Sequence, residues 1–165
     1  MDLTDPAVVV ALVGPVAEVI GPAALAYADR GCFTPCPGSG VAMLDAGDGA
    51  VVALAEACGP EDVAESAITE LPSPVWVARA DGQVVAASGY AVWSGALGQV
   101  GVLTHPRFRG RGLGRVVASA AVADALDAGL VAQWRARVTL QASRRIAGSL
   151  GFVELGRQVL FRLER

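Results

Sequence analysis

Val100-Gly101-Val102-Leu103-Thr104-His105-Pro106-Arg107-Phe108-Arg109-Gly110-Arg111-Gly112-Leu113-Gly114-Arg115 is the stretch whose reading decides the fold. It opens as an apolar run with β-branched residues, the composition of a buried strand. Pro106 closes that strand, because its ring removes a ladder donor. Three alternating glycines follow, and then Leu113, Val116, Val117 and Ala120 recur at helical spacing. The order is strand, glycine-rich basic loop, helix.

A loop of this kind has a definite chemical use. The first N–H groups of a helix have no internal partner and sit at the positive end of its dipole, so they attract a phosphate. Gly110, Gly112 and Gly114 let the backbone come close to an anion, and Arg109, Arg111 and Arg115 add charge around the same point. The stretch reads as a pyrophosphate cradle, against the plainer reading of a basic surface turn before an ordinary helix.

Two common owners of a pyrophosphate fit poorly. A dinucleotide fold wants G-x-G-x-x-G with an acidic residue about 20 positions further on for the ribose. Here the glycines run G-x-G-x-G, and the next strand region holds Arg135 and Arg137 instead. A P-loop needs Gly-Lys-Ser/Thr, and the chain has no lysine.

Arg109-Gly110-Arg111-Gly112-Leu113-Gly114 resembles the Q/R-x-x-G-x-G/A signature of the GNAT superfamily of acyl-CoA-dependent N-acyltransferases. Further on, Ala142-Ser143-Arg144-Arg145-Ile146-Ala147-Gly148-Ser149-Leu150-Gly151-Phe152 is similar to that family's second landmark, a helix closing on Leu-Gly-Phe. The two stand in the family's order and separation. The resemblance covers residues 40 to 163 and is strongest from 83 to 155. It implies an α/β (α+β) fold whose mixed, mostly antiparallel sheet holds one central parallel pair flanked by helices. The implied co-substrate is acetyl-CoA or a related thioester, with no metal. The implied acceptor is an amine of a small molecule or a protein. Backbone groups of Val102, Leu103 and Thr104 would then hold the pantetheine arm and the reacting carbonyl. The N–H groups from Arg109 through Gly110, Arg111, Gly112, Leu113 and Gly114 to Arg115 would hold the pyrophosphate.

Composition agrees with a folded domain. A length of 165 residues is a prior for one domain, and 53% apolar residues argue against disorder. The net charge of −3 hides an asymmetry. Residues 1 to 106 hold two arginines and twelve carboxylates, whereas 107 to 165 hold eleven arginines and four carboxylates. A nucleic-acid partner would use such a basic half, but no aromatic interleaving or DNA-reading motif accompanies it, so none is expected. A phosphate-rich co-substrate accounts for the basic half more economically. The acidic half reads either as a face toward a cationic amine or as a solvated surface.

Cys32 and Cys36 are spaced C-x-x-x-C, but Cys58 and the single histidine, His105, do not complete a zinc pattern. An odd cysteine count with no signal peptide in view leads us to expect reduced thiols and a cytoplasmic protein.

Residues 6 to 28 are almost continuously apolar. Glu18 in the interior, the Gly14-Pro15 and Gly21-Pro22 breaks and the acidic flank 1–5 argue against a membrane span. Asp5-Pro6 reads as a helix cap followed by Pro at the first helical position. The segment 1–31 is therefore expected to be an N-terminal extension of short buried helices, packed on the core or completing a dimer. The rest follows as a short strand 41–44, a helix capped by Asp48, and an acidic exposed helix 61–70. Next come strands on either side of Asp81-Gly82, the central strand, and a helix to about Ala128 with Asp124 on its wet side. A strand 134–140, a helix 143–150 and a strand or hairpin 152–163 complete the chain.

The chemistry has gaps. Many members of the family place an asparagine at the end of the fifth strand and an acidic tyrosine on the following helix, and those slots here hold Leu140 and Ala147. The family's glutamate base falls at Gly98 or Gln99. Tyr90 is the substitute acid by residue type, weighed against a plain core aromatic. His105 is a base by residue type, weighed against a structural or cofactor-side role beside the phosphate loop; Trp93 and Trp134 read as core, and Ser143 reads as a helix cap or a contact to the CoA arm. Two functions remain open on these residues: an N-acetyltransferase, or a non-catalytic CoA-binding sensor or interaction module.

Overall fold

A computed structural model describes residues 2–72 and 74–163. Among the described residues seven strands form one sheet: β1 (Val16–Ala28), β2 (Val41–Leu44), β3 (Val75–Ala80), β4 (Gln83–Trp93), β5 (Leu97–Thr104), β6 (Val131–Arg137) and β7 (Val153–Leu163). Their order across the sheet is β2-β3-β4-β5-β6-β1-β7. Every neighbouring pair is antiparallel except β5 and β6. The same residues form five α-helices: α1 (Pro6–Val13), α2 (Gly49–Cys58), α3 (Pro60–Ser66), α4 (Leu113–Asp127) and α5 (Gln141–Ser149).

The local rules behind these elements are visible. Asp81 and Gly82 both take positive φ at the β3–β4 turn, the backbone a tight hairpin needs. Asp48 accepts a hydrogen bond from the Ala50 N–H at 2.8 Å and starts α2, as the sequence predicts. Between β5 and β6 the chain crosses over through α4, which packs on one face of the sheet. Its inner residues Ala118, Ala121, Val122 and Ala125 are wholly buried, and their small side chains let the helix axis lie close to the strands. Helices α2 and α3 cover the opposite face, over a second cluster that includes Val51, Leu54, Val77 and Leu103. The acidic segment 61–70 breaks sooner than expected. Helix α3 ends at Ser66, Ala67 takes a left-handed conformation, and Ile68 is buried in the next turn.

The N-terminal segment is where the structure departs most from expectation. Asp5 does cap α1, accepting from the Ala7 N–H at 2.9 Å. Residues 16–28, however, form a strand instead of short buried helices, lying between β6 and β7. Ala23–Ala28 pair with Ala132–Arg137 on one side, and Val16–Tyr27 pair with Val153–Leu163 on the other. A continuous apolar run is compatible with a buried helix or with a strand flanked on both sides, and hydrophobic spacing alone does not separate them. The open edges of β6 and β7 decide it, because their N–H and C=O groups need partners that only an extended segment supplies. No helix among the described residues is long and apolar enough to cross a membrane.

One glycine sets how α3 sits on the sheet. A Cβ on Gly101 of β5 would collide with the Ser66 carbonyl oxygen, so the end of α3 rests directly on the bare strand backbone. Gly101→Val is expected to push α3 off its seat and to destabilise the protein by roughly 1–3 kcal/mol. In urea unfolding this reads as a lower midpoint at unchanged slope.

Candidate functional site

Strands β5 and β6 run together only from Leu97↔Val131 to Val100↔Trp134. Both continue beyond that register, to Thr104 and Arg137, but without pairing to each other. The sheet is therefore split from one end, and main-chain groups on the facing edges find partners other than the opposite strand: the Arg137 N–H goes to Glu65 and the Thr104 carbonyl accepts from Arg109. The crossover explains the position of the split. Carried by the α4 connection, β6 arrives parallel to β5 and is drawn away at its far end by antiparallel pairing with β1.

A cavity of about 500 Å³ opens at this split, within the usual range for a small-molecule site. Val100 through Thr104 and Trp134 form its floor, the loop 108–115 closes one end, and α5 contributes Ala142, Ser143, Arg145, Ile146 and Ser149. Helix α3 supplies Asp62, Glu65 and Ser66 from the opposite side. Central strand, glycine loop and second landmark helix thus meet around one space.

The glycine loop ends at Gly112, the residue before α4, with φ +77° and no side chain capping the helix. A Cβ built there meets nothing within 4 Å, so the approach to the helix start is open. The first-turn N–H groups of Leu113, Gly114 and Arg115 have no acceptor within the helix and face this opening. Arg115 Nε is buried without a hydrogen-bond partner and leaves a donor open to an anion beside the helix start. Bare helix N–H groups, an unused guanidinium nitrogen and an unpaired strand edge are the donor set that a pyrophosphate with an amide-bearing arm requires.

The three loop arginines do different things. The Arg109 side chain donates to Asp62 Oδ2 at 2.6 Å and to the Thr104 carbonyl at 3.2 Å, so it ties the loop to α3 and to the end of β5. The Arg111 guanidinium lies 4.9 Å from the centre of the Phe108 ring, and this residue does not line the cavity. Arg115 donates through one terminal nitrogen to the Ser149 carbonyl at 3.2 Å, linking α4 to α5. Expected as a cluster of phosphate ligands, these residues act first as braces for the loop. The donors left open in the loop are main-chain N–H groups at the start of α4.

The other sequence candidates separate cleanly. Val102, Leu103, Thr104, Gly110, Gly112, Leu113, Gly114 and Ser143 all line the cavity. Ser143 does not cap α5, whose first flanking residue is Leu140; its Oγ accepts from Trp134 Nε1 at 3.0 Å and so fixes the indole forming part of the floor. His105 lies outside the lining, accepting from the Arg107 N–H at 3.2 Å and packing edge-on against Phe108. Trp93 is exposed, at the rim of the β4–β5 turn.

Tyr90 is not in the cavity. It is buried under α4, stacks on Trp76, and donates its hydroxyl to Asp124 Oδ2 at 2.7 Å. Asp124 is accordingly a partner for the phenol, where the sequence suggests only a wet helix face. Strand alternation points Tyr90 to the α4 side, so its place as the acid has no geometric support. Ala147, in the family's tyrosine slot, is buried in the core, and Leu140 adds only apolar wall.

The sequence reading passed over the groups on the α3 side. Glu65 accepts from the Arg137 N–H and the Arg137 Nε, both at 2.9 Å, and joins α3 to the far end of β6 across the split. Asp62 and Glu65 are the carboxylates of the cavity wall, and Arg135 and Arg145 line it as well. The visible signal was the acidic run 61–70, which reads equally well as a solvated helix face.

The profile described as GNAT acetyltransferase matches residues 76–159. A GNAT-family protein from Novosphingobium aromaticivorans superposes with a TM-score of 0.73 at 26% identity, covering 89% of this chain and 65% of its own. An acetyltransferase of the GNAT family from Colwellia psychrerythraea gives 0.68 at 18% identity, with coverages of 90% and 58%. The Salmonella typhimurium protein yncA, solved with its cofactor acetyl-CoA, gives 0.55 at 21% identity, with coverages of 76% and 94%. The chain thus spans about 58 to 65% of the length of the first two. No protein of curated function matches it.

Burial, then the hydrogen bond to Asp124 and its negative charge, push the Tyr90 hydroxyl up to about 12. A folded-state value above the ordinary value near 10 means that this group's contribution is complete below pH 10 and is lost as pH rises through 12. Stability is expected to fall between pH 10 and 12, and Tyr90→Phe should remove that part of the fall. Thermal unfolding across this range, with tyrosinate absorbance followed in parallel, tests the assignment.

Proposed function

The chain belongs to the GNAT acetyltransferase family, and from that premise we propose that it transfers an acetyl group from acetyl-CoA to the amine of a small molecule or a protein. One observation carries the reading: the split between β5 and β6 leads without interruption to the bare N-terminus of α4. A ligand fitting both parts has an anionic diphosphate at one end and an amide-bearing chain at the other. Acetyl-CoA answers that description and supplies an activated thioester.

In this reading the N–H groups of residues 110–115 hold the diphosphate, with Arg115 turned toward it. The edge of β5 from Val102 to Thr104, with the Thr104 carbonyl already held by Arg109, pairs with the arm as an added strand would. A backbone N–H near Val102 or Leu103 stabilises the oxyanion of the tetrahedral intermediate. The acceptor enters from the α3 side, where Asp62 and Glu65 give an ammonium its counter-charge. The amine must lose its proton before attack, and a carboxylate there, directly or through water, receives it; collapse of the intermediate then breaks the C–S bond, and the CoA thiolate leaves and takes up that proton.

A second reading has its own support. The cavity wall holds no tyrosine, histidine or cysteine among the described residues, and both of its carboxylates are engaged by arginines. A protein that binds CoA without turnover, as a sensor or interaction module, fits those facts. Thiol release from acetyl-CoA, measured against polyamines, amino acids and aminoglycosides, separates the two. Turnover with any amine supports the transferase, and tight CoA binding with none supports the module.

Gly112→Asp is expected to abolish CoA binding with the fold retained, because it sets a carboxylate at the mouth of the anion site. The left-handed backbone there costs a non-glycine residue about 1 kcal/mol, which the fold should tolerate. Calorimetry with CoA, alongside circular dichroism, reads both parts; unchanged affinity would remove the diphosphate from this corner.

A further inference from the structure

Helix α5 stands between two cavities. Ala142, Ile146 and Ser149 line the one at the β5–β6 split. Gln141, Arg144 and Gly148 line a second, of about 410 Å³, on the other flank of the helix. The two sets recur at helical spacing, so each marks one face of α5. Trp134 and Arg145 border both spaces.

The second cavity exists because the side chains under α5 are small. Antiparallel pairing sets Ala24 beside Ala136, and it sets Ala26 between Trp134 and Glu154, on the face of the sheet that α5 covers. Ala147 and Gly148 bring no bulk from the helix side. The Trp134 and Phe152 rings meet edge to face at 5.4 Å and supply an aromatic wall. The volume lies in the range of small-molecule sites.

Charge selects the occupant. The Arg144 guanidinium donates to the Val138 carbonyl at 3.1 Å and to Glu154 Oε2 at 2.7 Å, while its Nε is buried without a partner and leaves a donor open to an anion. The Arg145 side chain has no hydrogen-bond or ion-pair partner among the described residues. Glu154 balances one guanidinium, so the lining keeps one positive charge. A monoanion matches that charge, whereas a dianion would also meet the repulsion of Glu154.

We propose that this cavity binds a small monocarboxylate with an apolar body. The carboxylate lies on Arg144 and Arg145, and the body lies on the alanine floor beside Trp134 and Phe152. Guanidinium groups suit a carboxylate because their N–H donors are fixed in a plane. The site stands apart from the acyl-transfer reading, which uses the other flank of α5.

Calorimetry of the full chain with phenylacetate and with hexanoate tests it, and 2-phenylethanol is the uncharged counterpart. At least one carboxylate should bind with a dissociation constant of about 1 mM or tighter. The alcohol should bind about tenfold more weakly. Arg144→Gln should weaken the carboxylate about tenfold, and Ala24→Leu, which fills the floor, should abolish its binding, both at an unchanged circular dichroism spectrum. Glu154→Gln removes the competing carboxylate and should tighten binding about threefold. None of these three residues lines the cavity at the split, so their CoA affinity should match that of the unaltered chain. A chain that binds the carboxylate but not CoA fails the acyl-transfer reading alone. Absence of binding by both carboxylates at that affinity overturns the proposal. So does equal binding of the alcohol, or carboxylate binding that all three variants leave unchanged. Glu154 is exposed, so Glu154→Gln decides the matter should the other two variants fail to fold.

Discussion

The parting of β5 from β6 after Val100 and Trp134 is the constraint on which the rest of the molecule depends. Two parallel strands that stayed paired to their ends would leave no unpaired main-chain edge and no space between the faces of the sheet. The pull comes from β1, whose antiparallel ladder with Ala132–Arg137 holds β6 on a path diverging from β5. Around the gap the chain places three kinds of group: an open strand edge, a helix start without a cap, and carboxylates on a short helix. Each arises from a different part of the sequence, and only the split gives them a common space.

The arginines show how little a charge count says about which groups meet a ligand. Arg109 is committed to Asp62 and to the Thr104 carbonyl, and Arg111 lies over Phe108. A glycine loop has no stiffness of its own, so something must hold it in shape, and these contacts do so. Rigid main-chain donors bind an anion without the entropy cost of ordering long side chains. The Glu65–Arg137 pair is of the same kind, linking α3 to β6 over the opening. These ion pairs are partly exposed, so their value lies in fixing geometry more than in stability.

The N-terminal strand gives the fold its second unusual property. In sequence β1 is the first strand, and in space it is next to last, between β6 and β7. The C-terminal strand is therefore joined to the sheet only through the N-terminal one. That arrangement builds the long β1–β7 ribbon and leaves β7 as an open edge.

By itself, the sequence determined the strand–loop–helix order from Val100 to Arg115, the Asp81-Gly82 hairpin, the crossover to a parallel strand and the second landmark helix. Those readings held because each rests on local chemistry: a proline stop, a turn needing positive φ, an aspartate cap, a helical period. The resemblance to one family rested on the same residues, and the cavity lining contains most of those the sequence named. Tertiary structure alone decided the rest. Whether 16–28 was helix or strand depended on unpaired edges more than 100 residues away. Whether Tyr90 faced the cavity depended on which side of the sheet α4 covered, and whether Asp62 and Glu65 faced solvent or the cavity depended on where Gly101 let α3 come to rest. Local propensity reports what a segment can be; the partners left unsatisfied by distant segments select among those states, because a buried N–H or C=O without a partner costs more than any propensity supplies.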